Sequence, residues 1–201
     1  MDIKGSMLVN PALLEKGSGD QALYRYVNPR FDVAKYSKII IQPVFIAKEG
    51  ELGPSERENY QKLANNAYVY LRMELAKELQ IVNKPESDTL DLQMAIHDAD
   101  SSKPVRNILS SVTPVGIGLN VVTFGVTGKQ SGVGEITAEF RLTDAATGEL
   151  LFAALDRRVG GKDIKGTWDT WHNADEALKY WAKRASFVLC QQKGKQDCEE
   201  P

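Results

Sequence analysis

The sequence predicts an α+β fold: a two-layer sandwich with a mostly antiparallel sheet and helices packed on one face. Three observations predict it. From Gly134 onward, Ile136, Ala138, Phe140 and Leu142 alternate with Glu135, Thr137, Glu139, Arg141 and Thr143. That period of two describes a strand with one buried face and one wet face. Asp144 to Gly148 supplies a turn, and a return strand follows with Leu151, Ala153 and Leu155 on one face. Finally, two long segments carry apolar residues at helical spacing, one after Ser55 and one after Asn173.

The elements follow in order. Residues 1–35 read as an arm, broken by Pro11, Gly17, Gly19 and Pro29, and residues 1–6 resemble an appended leader. Residues 36–190 read as one domain. Tyr36 to Ile46 is a nearly continuous apolar run, the pattern of a strand buried on both faces. Pro43 cannot donate to a ladder, so a bulge or edge is expected there. Ser55 and Glu58 match a capping box at the start of the first helix. Its buried stripe includes Tyr60, Leu63, Ala67, Tyr68, Leu71 and Leu75, with Tyr70 expected on the surface.

Gln80 to Val82 forms a short strand. Leu90, Leu92, Met94 and Ile96 then mark a half-buried one. After the hairpin comes a linker bearing Trp168 and Trp171. The last helix begins at Asn173, with Glu176 completing a second capping box and Trp181 on the buried stripe. Residues 191–201 are a tail.

One segment, 104–134, breaks the pattern. From Ile108 to Val126 it carries no charge, and Pro114, Gly116, Gly118 and Gly125 deny it a stable helix. Three arrangements suit it. It is a strand pair and buried loop within the sheet, a partner surface, or a membrane-touching hairpin. Exposure of Val121, Val122 and Phe124 would favour the last two.

The totals narrow the function. The chain has 201 residues, 42% hydrophobic and 26% charged, an ordinary globular composition. A formal net charge of −2 leaves no basic footprint for nucleic acid. No apolar run reaches the length of a membrane-spanning helix, and no signal peptide stands at the start. The two cysteines, Cys190 and Cys198, fit either a small disulfide loop, which implies an oxidising compartment, or a half-buried helix thiol with a free tail thiol.

Motifs that carry chemistry do not assemble. Gly128-Lys129-Gln130 resembles the end of a phosphate loop, but the first glycine is missing and Gln130 stands where Ser or Thr is required. Gly116 and Gly118 begin a dinucleotide fingerprint that Val121 ends. His97 lies beside Asp98 and Asp100, which reads as a solvated strand end before it reads as a general base. No catalytic residue, metal site or cofactor is expected, and the chain reads as non-enzymatic. Arg157 and Arg158 offer a fork for an acidic group or an internal ion pair. Trp168 and Trp171 either stack on a sugar or lipid headgroup or pack under their loop.

Several stretches together resemble a bacterial lipoprotein family, domain of unknown function 3313. They are Tyr36 to Val44, Ala145 to Leu150, Asp156 to Arg158 and the Trp181-Ala182 pair. The resemblance covers about residues 20 to 190. It implies export, a lipid anchor on an upstream cysteine that this sequence does not contain, and a place on the periplasmic face of the outer membrane. It carries no catalytic residues. The expected function is protein binding or assembly through the apolar insert, with an envelope protein or a second copy as partner. The alternative is small-ligand or glycan binding at the tryptophan loop.

Overall fold

The structure, a computed structural model, describes residues 8–49, 52–98, 105–110, 135–159 and 170–201. Their order is β1 (Glu15–Lys16), β2 (Tyr24–Val27), β3 (Lys38–Ile41), β4 (Phe45–Glu49), α1 (Pro54–Leu75), β5 (Gln80–Ile81), β6 (Thr89–Asp98), β7 (Val105–Ser110), β8 (Glu135–Asp144), β9 (Leu150–Val159) and α2 (Thr170–Gln192). All these strands join one mixed sheet, and the helices pack against each other over it. This is the α+β sandwich that the sequence predicts.

Alternation in β6, β8 and β9 sets the sheet's spine. Leu92 stands opposite Leu142, and Leu142 opposite Phe152, so one row of large apolar groups faces the helices. The hairpin between β8 and β9 closes at Gly148, whose φ of 74° suits glycine. Asp144 accepts the amides of Ala146 and Thr147 at 2.9 Å each, which rigidifies the turn.

The Pro43 irregularity is visible in the register. Ile41 pairs with Leu92 and Phe45 with Ala95, so four steps on one strand match three on the other. One extra residue is therefore accommodated around Pro43, splitting the run into β3 and β4. Both run parallel to β6, as β5 does to β3 after the α1 crossover. The other pairings are antiparallel.

Several expectations are corrected. The arm is not irregular: β1 and β2 form a hairpin, and β2 extends the sheet beside β9. Gly17 makes the hairpin possible, because a Cβ there would stand 2.0 Å from the Ala22 carbonyl oxygen. The middle of β8's expected wet face is dry. Thr137 and Glu139 are 2% and 1% exposed, and the row Ala95, Glu139 and Leu155 is buried throughout. The arm explains this, since the Leu8 amide donates to Glu139 Oε2 at 2.9 Å.

The cap of α1 lies at Gly53, whose amide donates to Glu56 Oε2 at 3.2 Å, and Pro54 takes the first helical position. Tyr70 is buried and donates its hydroxyl to Asp175 Oδ2 at 2.8 Å. Asn173 lies inside α2 rather than at its cap. The start of the 104–134 insert is a strand, β7, antiparallel to β4.

Candidate functional site

The helix-facing side of the sheet is not completely filled. Between it and α2 lies a cavity of about 190 Å³. Leu90, Leu92, Phe140, Leu142 and Phe152 form its floor. Its roof is one stripe of α2: Trp181, Ala185, Val188 and Leu189, spaced as one helical face requires. Trp181 meets Phe140 edge-on, with ring centroids 6.1 Å apart. Beside the large indole, Ala185 leaves space that a bulkier residue would take.

The turn of the β1–β2 hairpin closes one side with Asp20, Gln21 and Ala22. Two contacts hold it there. Asp20 Oδ2 lies 2.6 Å from Arg184 Nη2 of α2. The Leu23 amide donates to Asp156 Oδ1 at 3.3 Å, and Asp156 Oδ2 accepts the Trp181 indole N–H at 2.7 Å. Asp156 thus ties β9, α2 and the arm together at the cavity mouth.

A polar cleft lies beside that mouth, sharing Asp20, Gln21, Asp156 and Tyr180 with the cavity and adding Arg157 and Arg158. Arg158 lies over Tyr180, its guanidinium carbon 3.2 Å from the ring centroid. Register explains the placement: Arg158 is two residues beyond Asp156 on the helix-facing side of β9, and Arg157 points to the other face.

The predicted site residues divide. Arg157 and Arg158 come together at this mouth, Arg157 being exposed. Asp156 is engaged by Trp181 and Leu23. Trp171 is not on a loop. It lies in the first turn of α2, 6% exposed, edge-on to Tyr60 with centroids 4.8 Å apart. Val121, Val122, Phe124 and Trp168 lie outside the described residues. Cys190 and Cys198 form a disulfide, with an S–S distance of 2.05 Å, that ties the tail to α2.

Sequence reasoning missed the cavity as a feature. Trp181 was legible as a buried position, but adjacency to Ala185, Asp156 and the arm was not. The signal was faint: a tryptophan and alanines on one helical face opposite large strand residues.

Two other polar groups are buried. His97 Nε2 lies 2.6 Å from Glu139 Oε1, a pairing across neighbouring strands. Asp175 accepts Asn66 Nδ2 and the Tyr70 hydroxyl at 2.8 Å each, between the helices. Burial, then the Asp175 hydrogen bond, pushes the Tyr70 phenol well above its ordinary range. Both groups brace the fold away from the cavity. Among the described residues no group of three His, Cys, Asp or Glu is placed to hold a metal ion, and no helix is long and apolar enough to cross a membrane.

Comparison with solved structures finds distant likenesses. One is the PelC dodecamer from Paraburkholderia phytofirmans, at 12% identity and a TM-score of 0.38, covering 86% of this chain and 96% of that one. Another is a DUF4136 family protein from Bacteroides thetaiotaomicron VPI-5482, at 13% identity and a TM-score of 0.40, covering 85% and 95%. No curated protein matches the sequence. The family model of DUF3313, a protein of unknown function, matches residues 4–185, and the chain belongs to that family.

Proposed function

We propose that this chain is the non-enzymatic, exported domain of a bacterial envelope lipoprotein at the periplasmic face of the outer membrane, and that it works by holding a small apolar ligand. The cavity under α2 carries this reading. Protein interiors pack to near-crystalline density and leave few voids larger than a water molecule. A cavity of about 190 Å³ with an apolar floor and roof exceeds that norm. A cavity of roughly 150 Å³ with similar lining accepts a benzene ring, so this one has room for a ring or a short alkyl chain. The Cys190–Cys198 disulfide supports an oxidising compartment.

The test is calorimetric titration of the full chain with n-propylbenzene, an uncharged one-ring probe. One bound probe is expected, and it should be lost in Ala185→Phe, which fills the cavity from the roof. Equal binding by Ala185→Phe, with its fold intact by circular dichroism, would sink the reading.

A second reading has one observation in its favour: β7 anchors the start of the apolar insert to β4. Assembly with an envelope protein or a second copy would then run through Val121, Val122 and Phe124. Co-purification from solubilised envelopes, with those residues changed to serine as control, tests it. Identical partner lists would end it.

A further inference from the structure

We propose that the occupant of the cavity is a single-chain amphiphile with an anionic head, its alkyl chain under α2 and its head among the arginines at the mouth. This rests on the binding reading above and adds the class of ligand. Two observations carry it.

The first is adjacency. The apolar cavity borders the polar cleft, and the two share Asp20, Gln21, Asp156 and Tyr180 as lining. A molecule reaching out of the cavity past those residues would meet that cleft. An apolar chamber joined to a charged vestibule matches a ligand that is itself apolar at one end and charged at the other.

The second is the sign of the vestibule. Among the described residues, the charged groups lining both spaces are Arg25, Arg157, Arg158 and Arg184 against Asp20 and Asp156. The mouth is therefore cationic on a chain whose formal net charge is −2. Both carboxylates already accept donors: Asp156 from Trp181 and Leu23, Asp20 from Arg184. Arg158 is held against the Tyr180 ring, which restricts where its donor fork can reach. A planar guanidinium presents paired N–H groups to a carboxylate or phosphate. A cationic head would meet the arginines and find the carboxylates engaged.

The cavity sets the chain length at roughly six to eight carbons inside, by comparison with cavities of known occupancy. The Asp20–Arg184 pair at the rim has one partner largely exposed, and such pairs hold weakly, so the hairpin turn is a weak barrier to entry.

The experiment is calorimetric titration of the full chain with four eight-carbon probes: octanoate, octyl phosphate, octanol and octyltrimethylammonium. At least one anion is expected to bind about tenfold tighter than octanol, with the ammonium weakest. The tighter anion distinguishes a fatty acid from a phosphate-headed lipid. In the Arg158→Gln variant the anion's advantage should shrink to about twofold while octanol binding holds. Arg158→Lys, which keeps charge and loses the fork, should fall between. Octanol binding as tightly as both anions, or the ammonium binding tightest, would overturn the anionic assignment and leave the cavity reading standing. No binding by any probe would remove both.

Discussion

Trp181 donates its indole N–H to Asp156 Oδ2 at 2.7 Å, and the other oxygen of that carboxylate accepts the Leu23 amide at 3.3 Å. One side chain thus joins helix, sheet and arm. Asp156→Ala removes both acceptors and leaves a half-buried indole N–H without its partner. A loss of about 2 kcal/mol is expected in urea unfolding. Asp156→Asn keeps an oxygen for the indole and should recover at least half. Equal loss in both variants would show that charge, not hydrogen bonding, matters there.

Asp175 sits between the helices, 6% exposed, with Asn66 and Tyr70 as donors. Asn66 is fully buried. Asp175→Ala would strand those donors in the core, and a loss of about 3 kcal/mol follows. Asp175→Ala with Asn66→Leu and Tyr70→Phe should restore part of it, because no buried donor then remains. Denaturation midpoints of the two variants check the comparison.

The Cys190–Cys198 bridge closes a loop of sequence separation 8. In the chain-entropy model, removing a crosslink of that size costs about 2.5 kcal/mol. The reduced protein should melt correspondingly lower. The tail is held also by Lys77 to Glu199 at 2.9 Å and by Lys195 to Glu78 at 2.9 Å. The Lys77–Glu199 pair is exposed on both sides and weak by itself, so Cys198→Ser should increase amide exchange in residues 195–201. Unchanged exchange would show that the ion pairs suffice.

Tyr36 donates its hydroxyl to Asp144 Oδ2 at 2.8 Å, and burial first, then that bond, pushes its phenol up to about 12. Below its ordinary value near 10 the phenol is protonated in both folded and unfolded chains, and this stabilisation is complete. Between about 10 and about 12 only the folded chain keeps the proton, so stability falls across that window. Asp144 has the opposite sense. Burial would raise its carboxyl, but the Thr147 amide, the Tyr36 hydroxyl and other donors outweigh it and hold the carboxyl below 3.8. Its contribution is present above that value and lost as the pH falls through the lowered one. Urea midpoints measured against pH should show both slopes, and Tyr36→Phe should flatten the alkaline one.

Period and punctuation carried most of the architecture. Alternation in β6 and β8 was readable because strand neighbours set its period, and Pro43 announced its own irregularity. The polarity of a face was not readable in the same way. Glu139 and Thr137 look like solvent positions in a strand, yet the arm lies over them, and a chain folding back from a hundred residues away leaves no local pattern. The short β1 and β2 were hidden for a related reason. Gly17 and Gly19 read as breakers, although they form the turn that lets the hairpin exist. The mouth of the cavity was half legible. Arg157 and Arg158 stood out by type, whereas their meeting with Tyr180 and Asp20 depends on three separate elements converging.

The arm's position changes what a minimal version of this protein can be. A fragment starting at residue 36 would lose more than a decoration. Glu139 would lose the Leu8 amide, and the backbone edge of β9 facing β2 would be bare. Exposed strand edges recruit other strands. Such a fragment should therefore stick to itself before it binds anything else, and any partner found with it would need to be checked against that self-made adhesive surface.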